Sequence, residues 1–176
     1  VSEKFKQQFA ATVQFMNSKG TSGDLAKLEA SETIYYIAEA SAIKEMHFTT
    51  GHNIISWDPN HLMETTNGIW LSPATSLAHE ASHAARYDKI INSNDPQSVQ
   101  NFKSDIEQDS DKQYDKKEER RVITTVEQEA AIKHGDIDAG QITRSNHKGK
   151  QVNGNVAKLK PEEIQRIIYG HNQLLK

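Results

Sequence analysis

Ser72-Pro73-Ala74-Thr75-Ser76-Leu77-Ala78-His79-Glu80-Ala81-Ser82-His83-Ala84-Ala85 is the stretch on which the reading of this chain turns. Serine followed by proline is a helix start, with the hydroxyl as N-cap and the ring at the first helical position. The helix is expected to run to about Ile91, and its many alanines allow a close neighbour. Inside it lies H-E-x-x-H. His79 and His83 are one turn apart, so both imidazoles leave the same face and reach one Zn²⁺. Glu80, one position round, lies beside an activated water without being a ligand, the place of a general base.

A catalytic zinc needs a third protein ligand and an open position. H-E-x-x-H-x-x-G-x-x-H is excluded, because Arg86 and Lys89 stand where its glycine and third histidine would be. The chain has no cysteine and eight histidines, so the third ligand is Glu, Asp or His. A helix expected from about Lys116 to His134 carries an apolar stripe of Val122, Ile123, Val126 and Ala130. Glu119 sits on that stripe, and an acid on a buried face needs a partner or a metal. Glu118, one position round, is almost as well placed to be that ligand. Glu127, two turns further, is a candidate ligand or an acceptor for a zinc-bound histidine.

Composition narrows the rest. Lysine plus arginine number 21 and aspartate plus glutamate 24, a net charge of −3. No basic stripe is present to track phosphates, which argues against nucleic acid. No apolar run approaches the ~20 residues of a membrane span. The 176 residues fit a single domain. Val1-Ser2-Glu3-Lys4-Phe5-Lys6 is not followed by the apolar stretch of a signal peptide.

The remaining chain reads as helices around a small sheet, an α+β fold with the sheet packed on the H-E-x-x-H helix. A helix is expected over 2–19, with Phe5, Phe9, Val13 and Met16 at helical spacing, and a short one from Ser22 through Glu29. Strands are expected at 33–38, 45–50 and 53–58, a polar loop at 60–71 and a helix from Asp95-Pro96 to about Asp109. Residues 136–160 read as loop with short strands, and Pro161-Glu162-Glu163 opens a last helix over 161–174. The domain thus divides into an N-terminal helical part, 1–45, a core, 53–149, and that last helix.

Three pieces together, the Ser72–His83 segment, Glu118-Glu119 and Arg144-Ser145-Asn146-His147, resemble the NleD-type bacterial effector and toxin zinc metallopeptidases. Their catalytic arrangement is shared with clostridial neurotoxin light chains: H-E-x-x-H, a Glu-Glu pair about 35 residues on, and a later Arg-x-x-Tyr or Arg-x-x-His. The resemblance covers roughly 53–149. It implies a zincin-like fold, with zinc on His79, His83 and Glu119, Glu80 as base and Glu118 supporting a ligand. Arg144 and His147 would stabilise the oxyanion. Arg120 stands where the family has glycine after the acid pair, and His147 where the neurotoxins have tyrosine.

The resemblance further implies a protein substrate inside a target cell, reached by secretion or injection. It also implies a place in a larger toxin polypeptide or binding by an immunity protein or chaperone. Two other readings accompany it: a cytosolic regulatory H-E-x-x-H peptidase, and a non-catalytic zinc-stabilised binding or immunity module. In the peptidase reading the strand 53–58 is the edge that pairs with extended substrate backbone.

Overall fold

The computed structural model describes residues 2–40, 46–108 and 110–153; the helix expected over 161–174 lies outside them. The elements are α1 (Glu3–Lys19), α2 (Gly23–Glu29), β1 (Tyr36–Glu39), β2 (His47–Thr49), β3 (Ile54–Trp57), β4 (His61–Thr65), β5 (Trp70–Leu71), α3 (Pro73–Ile91) and α4 (Pro96–Glu107). Then comes one continuous helical rod made of α5 (Lys117–Val122), a π-helical turn (Ile123–Glu127) and α6 (Gln128–His134), followed by β6 (Gly149–Asn153). The architecture is α+β.

Two three-stranded sheets form, in the orders β1-β3-β2 and β5-β4-β6. In the first, β1 runs parallel to β3 and β2 antiparallel to it. The strand expected at 53–58 is therefore the middle of its sheet, with both sides already hydrogen-bonded, and the edge beside the site is β2. The stretch 60–71, expected as loop, contains β4 and β5; β4 buries Leu62 and Thr65 and leaves His61, Met63 and Glu64 half-buried, so polarity does not follow burial along it. β1 overlaps the strand expected at 33–38 and joins the first sheet.

The core collects on α3. Nearly every side chain from Pro73 to Ala85 is buried, because small alanines let helices and sheet approach on all sides. Trp57, fully buried, donates its indole N–H to the Pro73 carbonyl at 2.8 Å and so fixes where α3 begins. Phe5 and Phe9 of α1 pack edge-on against the same ring. Among the described residues no helix is long and apolar enough to cross a membrane.

A buried polar cluster ties the start of α3 to the end of α6. Ser72 caps α3, its Oγ accepting from Thr75 N. Gly135, at φ +84°, ends α6 in the left-handed conformation and turns the chain back, so that Asp136 meets that cap. Asp136 Oδ2 accepts from Ser72 N at 2.9 Å, Ser72 Oγ at 3.0 Å and Thr75 Oγ1 at 2.6 Å. His134 contacts Thr75 through Nδ1 and Thr21 through Nε2.

Burial raises the Asp136 carboxyl to about 6, its three donors opposing that rise only in part. Burial, then Lys19 and Lys133, lower the His134 imidazole to about 4. The two act in opposite senses. The contribution of Asp136 is present below its unfolded value of 3.8 and is lost as pH rises through the folded one. That of His134 is lost as pH falls from 6.5 towards 4. Asp136→Asn removes the first alone. Relative to the wild type, D136N is expected to gain about 2 kcal/mol of unfolding free energy between pH 4 and pH 6. Denaturant titrations at both pH values measure it, and parallel behaviour of the two proteins contradicts the assignment.

Candidate metal centre

Helix α3 presents His79 and His83 on one face, and α5 crosses opposite them with Glu119. The Nε2 atoms of the two imidazoles lie 3.0 Å apart. Glu119 closes the triangle, Oε2 at 3.2 Å from His79 Nε2 and Oε1 at 3.4 Å from His83 Nε2. All three residues are buried, and their ligand atoms lie within 4.8 Å of one another. The group can hold a metal ion.

The outer nitrogens are engaged elsewhere. His79 Nδ1 meets Glu127 Oε2 at 2.8 Å, and His83 Nδ1 meets Glu118 Oε1 at 3.2 Å. A carboxylate on Nδ1 keeps the proton there and turns the Nε2 lone pair inward. Two inward lone pairs and a carboxylate converging on one point repel one another unless a cation lies between them. Glu119 Oε2 is moreover buried without a hydrogen-bond partner, the condition of a group built for something other than protein.

The supporting carboxylates are themselves neutralised. Glu118 takes Arg121 Nη2 at 2.6 Å and contacts Arg86 Nη1. Arg121 also reaches the Ser82 carbonyl on α3. Glu127 is held by Arg144, through Nη2 at 2.5 Å and Nε at 3.0 Å. Burial works to raise the carboxyl groups of Glu118 and Glu127, but their imidazole and guanidinium partners outweigh it and bring both to about 2. Glu119 is held well below the usual range by His79 and His83, again against burial. Burial depresses His79, yet Glu119 and Glu127 lift it to about 10, and His83 is raised in the same way by Glu118 and Glu119. A metal and a proton therefore compete for these rings.

The π-helical turn explains how Glu119 and Glu127 serve one site. Eight α-helical positions put two residues about 80° apart, whereas one inserted residue reduces this to about 20°. Thr124 and Thr125 suit the widened turn, their hydroxyls bonding the carbonyls of Arg120 and Arg121.

Of the residues expected from sequence, His79, His83, Glu119, Glu118 and Glu127 come together as one cluster. Glu80 is buried on α3 and borders a cleft of about 540 Å³ that opens onto the metal-ligating group. Met46, Phe48, Met63 and Ile106 give this cleft an apolar wall, with β2 along one side. Arg144 and His147 border it too. Arg144 uses Nε and Nη2 on Glu127 and Nη1 on the His147 carbonyl at 3.1 Å. His147 Nε2 lies 3.4 Å from Glu119 Oε2. Arg86 and Arg121 were not anticipated. Their positions three residues after His83 and after Glu118, one helical turn on, are the signal that could have found them.

The chain matches no family model, no curated protein and no solved structure.

Glu127→Gln keeps the shape but removes the charge behind His79. Zinc affinity, measured by competition with a chromophoric chelator, is expected to fall about 10–100-fold in this variant. An unchanged affinity contradicts the role given to Glu127.

Proposed function

We propose that the protein is a zinc-dependent endopeptidase of zincin-like arrangement. The observation that carries this reading is Glu80 lining a cleft together with His79, His83 and Glu119, whose ligand atoms converge within 4.8 Å. Two imidazoles and a carboxylate, with no thiolate, are the donor set of a catalytic rather than a closed structural zinc site. When bound, the metal supplies Lewis acidity at the carbonyl and lowers the pKa of water.

The chain's own groups do the rest. Glu80 takes the proton of the attacking water and returns it to the leaving amine. Glu118 and Glu127 orient the imidazoles from behind, and Arg144 balances the charge of Glu127 while gripping the backbone at His147. His147 faces the developing oxyanion. β2, the outer strand of its sheet among the described residues, is the strand an extended peptide would lie along, and the apolar wall excludes water from the bond under attack. The setting of a secreted or injected bacterial effector, acting on a protein in a target cell, rests on the resemblance carried by Glu118-Glu119 and Arg144-Ser145-Asn146-His147.

Glu80→Gln tests the reading. Zinc content is expected to match the wild type, while cleavage of a broad peptide panel falls at least 10²–10⁴-fold. Zinc retained with cleavage unaltered by the substitution contradicts the peptidase and favours a non-catalytic zinc-stabilised module.

A further inference from the structure

The cleft is bordered by a cation that the fold leaves uncommitted. Among the described residues, Arg144 and Lys116 are the arginine and the lysine that line it. Arg144 is fully engaged, with Nε and Nη2 on Glu127 and Nη1 on the His147 carbonyl. Lys116 is half-buried, yet its ammonium makes no hydrogen bond or ion pair among the described residues.

Acids are close by in the chain, but each is directed elsewhere. Glu118 binds Arg86 and Arg121, and Glu119 closes on the two histidines. Asp111 is bound by Arg120 and accepts from Gln113 N and Tyr114 N. Asp115 Oδ2 faces His147 Nδ1 at 3.4 Å. The backbone of Lys116 is fixed all the same. Its N–H donates to the Tyr114 carbonyl at 2.7 Å, and its carbonyl accepts from Arg120 N at 3.1 Å, where α5 begins. The stem is anchored and the charged head is left without a protein partner.

The position of that head is informative. Next to the cleft lies a hollow of about 710 Å³, and the two share Lys116 and His147. Lys116 thus stands where the cleft opens into the hollow, one helical turn ahead of Glu119. A peptide with its scissile carbonyl at the metal group and its chain running past His147 into the hollow passes this ammonium. Glu107, at the end of α4, borders the cleft as well but is exposed, so water and salt screen its charge more.

We propose that Lys116 is a specificity-determining residue that receives the carboxylate of an acidic side chain flanking the scissile bond. The preferred substrates are then peptides with Asp or Glu a few residues from that bond, on the side that leaves the cleft past His147. An ammonium on a flexible stem is a point charge, so it selects for charge while accepting either acid, and charges at the rim of a binding surface act chiefly on specificity. The cleavage preference rests on the peptidase reading above; the acidic subsite itself does not.

Peptides carrying a zinc-binding hydroxamate, in sets that differ only by Glu, Gln or Lys at one flanking position, test the proposal by competition binding to the zinc-loaded protein. In the wild type the Glu member is expected to bind about 5-fold more tightly than the Gln member on one side of the hydroxamate, with the difference shrinking at high salt. Lys116→Gln is expected to bring the two to equal affinity, and K116E to make the Lys member the tightest. Zinc content is expected to match the wild type in both variants, because the ammonium holds nothing in the fold. The same order is expected in kcat/KM for the corresponding peptide substrates. Equal affinity of Glu and Gln members at every position in the wild type, or a preference for Glu that survives in K116E, overturns the proposal, whether or not peptides are cleaved. A wild-type protein that cleaves no peptide but ranks the hydroxamates through Lys116 removes the peptidase reading and leaves the acidic subsite standing. Hydroxamates that do not bind at all overturn both.

Discussion

Two imidazole nitrogens held 3.0 Å apart, both facing a buried carboxylate, are the constraint from which the rest of the structure follows. Such a triangle is unfavourable by itself, so each member has to be held in place from outside. Glu118 and Glu127 hold the rings. Arg86, Arg121 and Arg144 hold those acids. With Glu80 and Glu119, four carboxylates meet three guanidiniums around the pair, which leaves the cluster negative when the imidazoles are neutral. A cation resolves both the repulsion between lone pairs and the excess of negative charge.

The fold delivers these groups from few elements. α3 carries both histidines and Glu80, and its small residues let it be enclosed on all sides. Its start is pinned by Trp57 and by the Ser72, Thr75 and Asp136 cluster, so a side chain two turns on has little freedom. The opposing rod carries Glu119 and both supporting acids, Glu118 and Glu127, and its π-helical turn brings Glu119 and Glu127 into phase. The loops at 111–115 and 144–147 complete the far rim and are bonded to each other. Catalytic groups need this kind of support, because small misplacements cost large factors in rate.

The site was more legible in sequence than the sheet. H-E-x-x-H announces its geometry, because helical spacing alone puts two imidazoles on one face. Glu119 followed from an acid lying on an apolar stripe. Glu127 can be named but not placed from sequence, because regular α-helical phase does not include the residue inserted in the π-helical turn Ile123–Glu127. The strands resisted for a different reason. β3 is so apolar that it reads equally as edge or centre, and only its pairing with both β1 and β2 shows it to be the centre. β4, His61–Thr65, alternates polar and apolar residues weakly and reads as loop. Arg86 and Arg121 escaped because a charged residue on a charged helix reads as solvated, and only the buried Glu118 between them shows otherwise.

Diffraction from crystals of the zinc-loaded protein, collected across the zinc absorption edge, tests the central claim most directly. One anomalous peak is predicted, about 2.0–2.2 Å from His79 Nε2, His83 Nε2 and a Glu119 carboxylate oxygen, on the side of the cleft bordered by Glu80. A peak at other residues, or none between these three in protein that is otherwise folded as described, contradicts it.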